Sequence, residues 1–402
     1  MKEIAIVGAV RTAVGRFGGT LTHMPQYELG TIVLKEIIRR TGINPGSVDD
    51  VVMGCAYQSG YNLNCGRQAV LRAGFPVEVP ACTVDRQCIS GLEAISQGVM
   101  QIQTDNAEIV LAGGAENMSN LPFYLMDVRW SGLKLGSAVL HDWFIDAAAT
   151  VSGPQDRFGS INMGLTAENI AEKYGISRQE QDEYAFNSQK KAIEAIDKGR
   201  FKEEIVPVEV SQPKGPPVIF DTDESPRRDT SLERLSKLLP TFKEGGTVTP
   251  GNSCPMNDAA GGVALMSVEK AREMGRQVMA KIKSFATVGV DPRYMGLGPV
   301  PATQKALKKA GLELKDIELI ELNEAFAAQA VAVIRDFKEM GLVSEDIINV
   351  NGGGIALGHP IGCTGVRLIT TLVYEMRRRG AKLGLATACV GGGMGGAMII
   401  EG

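Results

Sequence analysis

Three residues are equipped for covalent or proton-transfer chemistry, and each stands in a distinctive setting. Cys88 follows Val77 to Val84, which alternates apolar and polar residues as a strand does. It precedes Ile89, Leu92, Ile95, Val99 and Ile102, which recur at helical spacing. A cysteine where a strand turns into a helix meets unpaired backbone N–H groups and the positive end of the helix dipole. Both favour a thiolate and lower the thiol pKa, so the position suits a nucleophile. The same N–H groups could hold an oxyanion on an attached carbonyl. The plainer alternative is a small buried hydrophobe, the usual fate of a lone cysteine.

His359 lies in Asn351-Gly352-Gly353-Gly354-Ile355-Ala356-Leu357-Gly358-His359-Pro360-Ile361-Gly362. Glycines at this density let backbone approach a ligand or another loop closely. A core histidine rarely needs glycine on both sides, so His359 is a candidate base. Cys389 opens Cys389-Val390-Gly391-Gly392-Gly393-Met394-Gly395-Gly396, directly after the predicted strand Leu383 to Ala388. A glycine turn after a strand can also bind a dinucleotide. Here no G-x-G-x-x-G opens a following helix, because the chain ends shortly afterwards. Glu321-Leu322-Asn323-Glu324-Ala325-Phe326 places polar groups after the predicted strand Ile317 to Ile320; alone, it fits a helix cap equally well.

The elements that must position these residues are duplicated. Gly42-Ile43 to Val48-Asp49-Asp50-Val51 parallels Gly311-Leu312 to Ile317-Glu318-Leu319-Ile320: a helix ends at glycine, a short loop follows, and an apolar strand begins. Further on, Ser90-Gly91 matches Thr364-Gly365, each opening a helical run. At the same offset, Ala107-Glu108-Ile109-Val110-Leu111-Ala112 matches Ala381-Lys382-Leu383-Gly384-Leu385-Ala386. The fold class is therefore α/β, with two related halves of sheet and helix packed in layers. The expected division is residues 1–270 and 271–402. About 119–250 reads as a loop domain inserted in the first half, with one helix, Gln179 to Lys198. This stretch holds both tryptophans, 130 and 143, and the run Gln212-Pro213-Lys214-Gly215-Pro216-Pro217.

Composition bounds the function. At 402 residues the chain needs more than one core-forming unit, and 44% apolar residues with only 5% aromatics suit closely layered α/β packing. Lys and Arg (42) nearly balance Asp and Glu (46), so no polycation is present to hold nucleic acid or an anionic membrane. No apolar run reaches spanning length, and the strand at Lys2 to Gly8 leaves no room for a leader peptide. Seven cysteines without a Cys-x-x-Cys pair argue against a disulfide framework or a metal site, and for a cytoplasmic setting.

Together these blocks resemble the thiolases, in order and at comparable spacing along nearly the whole chain. They are Arg86-Gln87-Cys88-Ile89-Ser90-Gly91, Asn323-Glu324-Ala325-Phe326-Ala327-Ala328-Gln329, Gly358-His359-Pro360-Ile361-Gly362 and Cys389-Val390-Gly391-Gly392-Gly393-Met394-Gly395. Thr247-Val248-Thr249 and Ala286-Thr287-Val288-Gly289-Val290-Asp291-Pro292 look closest to the acetyl-CoA acetyltransferase branch. The resemblance implies a thiolase-type fold and reversible cleavage of a 3-ketoacyl-CoA, with acetoacetyl-CoA the leading substrate and a broad-range degradative thiolase the alternative. His359 takes the proton of Cys88, whose thiolate attacks the keto carbon, and Cys389 protonates the released enolate. It also implies that Asn323, through a water, forms one oxyanion hole with His359. The N–H groups of Cys88 and Gly391 form the other. Met163, Met295 and Phe326 line the acyl pocket, while Cys254 and Arg227 lie along the coenzyme A path. Coenzyme A is a substrate and no cofactor is held permanently. The expected partners are acyl-CoA thioesters and further copies of the chain, in a homotetramer that two dimers build by way of Leu133-Lys134-Leu135-Gly136.

The chain departs from that pattern at several places. Asp85 stands for the family's Asn, Ile89 for Gly or Ala, and Asn162 for the His of the acetoacetyl-specific branch. Pro250, Cys254 and Pro255 replace small residues, and Arg234 does not match the usual pattern. Branched Ile89 is expected to narrow the pocket beside Cys88 or to shift the loop. Two other readings compete. A decarboxylating ketosynthase-type enzyme would lack Cys389, and a non-catalytic acyl-CoA-binding homologue would have no need of Cys88, His359 and Cys389 together.

Overall fold

The computed structural model describes residues 2–58, 63–150, 153–212 and 215–402, so Pro213 and Lys214 of the proline-rich run lie outside the described residues. The strands that make the main path of the central sheet are β1 (Ile4–Thr12), β2 (Asp50–Gly54), β3 (Ala81–Val84), β4 (Ile109–Asn117), β5 (Asn257–Ser267), β6 (Ala280–Gly289), β7 (Leu319–Leu322), β8 (Leu383–Val390) and β9 (Met394–Glu401). They run in spatial order β7-β8-β9-β6-β1-β5-β4-β2-β3. β3, β2 and β4 are mutually parallel, as are β7 and β8. The runs β4-β5-β1 and β8-β9-β6 are antiparallel and meet at the β1–β6 pair. Each half thus has a parallel outer part and an antiparallel inner part, the duplication expected from sequence. β1 sits where the halves join; all nine of its residues are buried, as the continuous apolar run Ile4 to Val10 requires.

The helices that matter for the site are α1 (Gln26–Thr41), α2 (Ser90–Gln103), α3 (Met163–Tyr174), α4 (Arg178–Asp197), α5 (Pro299–Ala310), α6 (Ala327–Glu339) and α7 (Ile361–Arg379). They form layers around the sheet. A Cβ on Gly262 of β5 would press on Val33 and Ile37 of α1, and one on neighbouring Gly261 would press on Val366 of α7. Successive strand residues face opposite sides, so α1 and α7 cover opposite faces of β5. α2 and α7 fill the middle layer, where Ile95, Val99, Ile369 and Val373 pack with Val110 and Leu265 of one half and Ala386 and Ile400 of the other. α5 and α6 close the outer face of β7–β9 with Leu307, Val333 and Phe337.

One contact in the middle layer decides where the site forms. A Cβ on Gly91 would lie 2.6 Å from the Val366 nitrogen, and one on Gly365 would collide with the Leu92 nitrogen. These two matched glycines let α2 and α7 touch backbone to backbone. Their N-terminal ends, which follow Cys88 and His359, are thereby brought to one place.

Some expectations need correction. β3 begins at Ala81 rather than Val77, because Val79 N donates to Pro76 O in a turn and Pro80 has no N–H to give a ladder. The predicted helix Gln179 to Lys198 is α4, started by a capping box of Ser177 and Glu180. A second helix, α3, occupies a stretch read as mostly loop, and the Asn162 side chain caps it by accepting the Leu165 N–H. All seven cysteines are free. Among the described residues no helix is long and apolar enough to cross a membrane.

Candidate active site

Cys88 sits on a single 3-10 turn, Gln87–Ile89, between β3 and α2. Gln87 has φ 46°, a left-handed conformation rare outside glycine, which makes the turn sharp. The turn is held locally. Asp85 Oδ1 accepts the Gln87 N–H at 2.7 Å, and Ser90 Oγ accepts the Arg86 N–H at 2.9 Å while donating to Gln87 O at 2.7 Å. Asp85 therefore holds the turn through one carboxylate oxygen. Ile89 does not narrow the pocket as expected. It is fully buried in the middle layer, where Gly396 makes room for it.

Cys88, half-buried, opens onto a cavity of about 460 Å³. His359, Cys254, Met163, Met295 and Phe326 share its wall, as expected from sequence. Tyr57, Phe144 and Phe242 also line it and were not foreseen. Phe242 had one indirect signal: a Cβ on Gly164 would overlap its ring, so the glycine after Met163 admits it. Phe242 and Phe326 meet edge to face, with centroids 6.2 Å apart.

Two predicted residues lie just behind this wall. Cys389 is fully buried in a cluster with Met295 and Phe326, against Met163, Phe242 and Cys254. Asn323 is buried with its Nδ2 3.5 Å from His359 Nε2; the helix that follows is capped at Phe326, so Asn323 is not a cap. His359 Nδ1 lies 2.6 Å from Thr364 Oγ1, and its backbone N–H donates to Asn257 Oδ1 at 2.9 Å. Gly358 has φ 107°, and a Cβ there would collide with Asn257, which explains the glycine before the histidine. The backbone N–H groups of Gly391 and of Cys88 itself face the Cys88 sulfur. Arg227 stands apart, in an adjoining cavity of about 440 Å³ with Arg16, Arg228 and Pro250; the two cavities share Ser253 and Pro255. Arg234 does not line it and pairs with Asp229.

The electrostatics overturn one expectation. Burial pushes the Cys88 thiol up to about 11, against the pull of the Gly391 and Cys88 N–H groups, and the charges of Asp85 and Glu116 add to the rise. The dipole argument from sequence is outweighed because the turn is enclosed. Burial, then the charge of Arg367, lowers His359 to about 3. At rest Cys88 is thus a thiol and His359 a neutral imidazole. Cys389 lies well above the usual thiol value, through burial and then the neighbouring thiols Cys88 and Cys254. A group of high proton affinity suits exchange with a weak carbon acid.

Comparison with known proteins fits this geometry. Residues 4–269 match the family described as Thiolase, N-terminal domain, and residues 276–402 match Thiolase, C-terminal domain. The chain belongs to the thiolase family. It is 50% identical over 401 residues to an acetyl-CoA acetyltransferase of Syntrophomonas wolfei, covering 100% of this chain and 99% of that protein. A Pseudomonas aeruginosa acetyl-CoA acetyltransferase is 50% identical over 400 residues, with coverage of 100% and 99%. Among solved thiolase structures, the Bacillus anthracis acetyl-CoA acetyltransferase superimposes with a TM-score of 0.94 at 43% identity, covering 100% of this chain and 99% of that one. The human mitochondrial 3-ketoacyl-CoA thiolase in complex with CoA gives 0.93 at 41%, covering 100% and 98%.

Proposed function

We propose that this thiolase is an acetyl-CoA acetyltransferase that cleaves acetoacetyl-CoA with coenzyme A, or forms it from two acetyl-CoA, through an acyl group on Cys88. The observation that carries the reading is that Cys88 and His359 share the wall of one cavity, with Cys389 buried directly behind that wall. His359 Nε2 receives the Cys88 proton as the sulfur attacks the keto carbon. The carbon–carbon bond breaks, and Cys389 gives its proton to the enolate of the departing acetyl-CoA. The thiol of coenzyme A then gives its proton to the Cys389 thiolate as its sulfur takes the acyl group, and the freed Cys88 sulfur recovers its proton from His359. The N–H groups of Cys88 and Gly391 stabilise the oxyanion on the attacked carbon, while Asn323, through a water, and His359 stabilise the enolate oxygen. Coenzyme A reaches the site past Cys254, with Arg227 in the adjoining cavity beside its adenine end.

The bulk of Met163, Met295, Phe326 and Phe242 supports short acyl chains. A second reading, a broad-range degradative 3-ketoacyl-CoA thiolase, is favoured by Asn162 and by the apolar wall that Phe144 extends. Each added methylene in a closed pocket costs roughly 1–3 kcal/mol of transition-state binding, about 10–200-fold. A steep fall in kcat/KM from acetoacetyl-CoA to 3-ketohexanoyl-CoA is therefore expected; equal values for four- and eight-carbon substrates would establish the second reading. Loss of the 3-ketoacyl thioester on mixing protein, acetoacetyl-CoA and coenzyme A tests the activity itself, and no loss would remove it.

The same reading makes the enzyme a cytoplasmic homotetramer built from dimers. Free thiols support the compartment. Exposed apolar side chains at Trp130 (93%), Leu133 and Leu135 (100%) support self-association, which light scattering measures. The division into residues 1–270, with a domain inserted at about 119–250, and 271–402 is supported by the repeated order of strands.

A further inference from the structure

We propose that Thr364 is a positioning residue that fixes the tautomer of His359, holding the ring proton on Nδ1 and leaving Nε2 to exchange a proton with Cys88. The inference rests on the role given to His359 above. Thr364 is fully buried in the first turn of α7. Its Oγ1 lies 2.6 Å from His359 Nδ1 and 2.9 Å from Pro360 O. A hydroxyl has one proton to give and lone pairs to accept with. If Nδ1 were bare, the hydroxyl would have to donate to it. Oγ1 and Pro360 O, both acceptors, would then stand 2.9 Å apart with no proton between them. Pro360 O cannot turn away, because the Cys363 and Thr364 N–H groups hold it at 2.9 and 2.8 Å. With the proton on Nδ1, both contacts become hydrogen bonds: Nδ1–H donates to Oγ1, and Oγ1–H donates to Pro360 O.

The consequence for the reaction is definite. Nε2, which lies 3.5 Å from Asn323 Nδ2 on the cavity side, carries the lone pair. When Cys88 attacks, its S–H bond breaks and an Nε2–H bond forms, while Nδ1–H stays in place. The imidazolium donates through Nδ1 to Thr364 and through Nε2 toward the oxygen where charge develops. A histidine in the other tautomer would present Nε2–H to Cys88 and could accept nothing there.

Histidine tautomers are read directly by solid-state 15N spectra of protein labelled with 15N-histidine, and this chain has only three histidines, at 23, 141 and 359. The wild-type His359 signal should report a protonated Nδ1 and a bare Nε2. Thr364→Val should mix the two forms and lower kcat about 10- to 100-fold, part of the 10²–10⁴ that a positioned general base supplies. Thr364→Ser should restore both within about threefold. The His23 and His141 signals serve as the folding control. A wild-type Nε2–H signal, or an unchanged His359 signal in Thr364→Val, would overturn the inference. Full activity in His359→Asn would instead remove the reading of the site, while the wild-type tautomer would still decide the claim about Thr364.

Discussion

The starts of α2 and α7 are one piece of architecture used twice with different side chains. At the constant offset of the duplication, Asp85 corresponds to His359, Cys88 to Gly362, Ser90 to Thr364 and Gly91 to Gly365. The shared parts are structural. In each half a glycine lets the other helix approach, and a hydroxyl one residue earlier reaches back across the turn: Ser90 to Arg86 N and Gln87 O, Thr364 to His359 and Pro360 O. The specialised parts are chemical. The first half has a thiol at the turn; the second has Gly362, whose N–H donates to Glu116 at 2.9 Å and where a Cβ would crowd Cys55 and Glu116. The second half has an imidazole where the first has a carboxylate. The same offset sets Cys389 against Ala115. A symmetric scaffold has thus become an asymmetric site by changing single residues at matched positions.

Removing each specialised group tests that asymmetry. Cys88→Ala should abolish acylation by an acyl-CoA and cut turnover by about four orders of magnitude or more, read by intact-protein mass and steady-state rates. Acylation persisting on Cys65 or Cys254 would break the comparison. Cys389→Ala, which gives the second half the residue of the first, should keep self-acylation by acetyl-CoA. It should lose condensation by ~10²–10⁴-fold, as loss of a matched acid or base does. Equal loss in both steps would make Cys389 structural.

The shared parts should respond through stability. Gly91→Ala forces a Cβ against the Val366 backbone and should cost about 1–3 kcal/mol, seen as a lower unfolding midpoint with activity falling alongside. An unchanged midpoint would show that the helices can separate freely.

The resting protonation state gives a pH test. With the thiol near 11, the thiolate fraction grows roughly tenfold per pH unit throughout the neutral and mildly alkaline range, and iodoacetamide labelling of Cys88 should climb with it. A plateau near pH 8 would restore the activated thiolate expected from sequence. The smallest effect belongs to Asp85→Asn. It keeps the oxygen that accepts the Gln87 N–H and removes a charge that raises the Cys88 thiol, so the labelling profile should move to lower pH.

Much of this was legible in the chain itself. Cys88, His359 and Cys389 were marked as candidates by a strand-to-helix transition and by glycines, while Asn323, which alone read equally as a helix cap, was singled out only by its block's resemblance to the family. The repeated helix–glycine–strand unit fixed the fold class. These signals are local, because backbone conformation at a turn and periodicity along an element depend on neighbouring residues. The direction of Ile89, the entry of Phe242 and Phe144 into the cavity wall, and the partnership of Thr364 with His359 were not legible, since they depend on which surfaces meet. The same holds for protonation. Sequence gives the helix dipole at Cys88, but the cost of charging a sulfur depends on how much protein surrounds it, and that is set by the closure of α2 against α7 and the glycine turn after β8. The sequence by itself determined which groups this protein can use and the duplicated frame that carries them. Only the tertiary structure decided which of them face each other and in what protonation state they wait, because desolvation and contact are properties of the packed molecule.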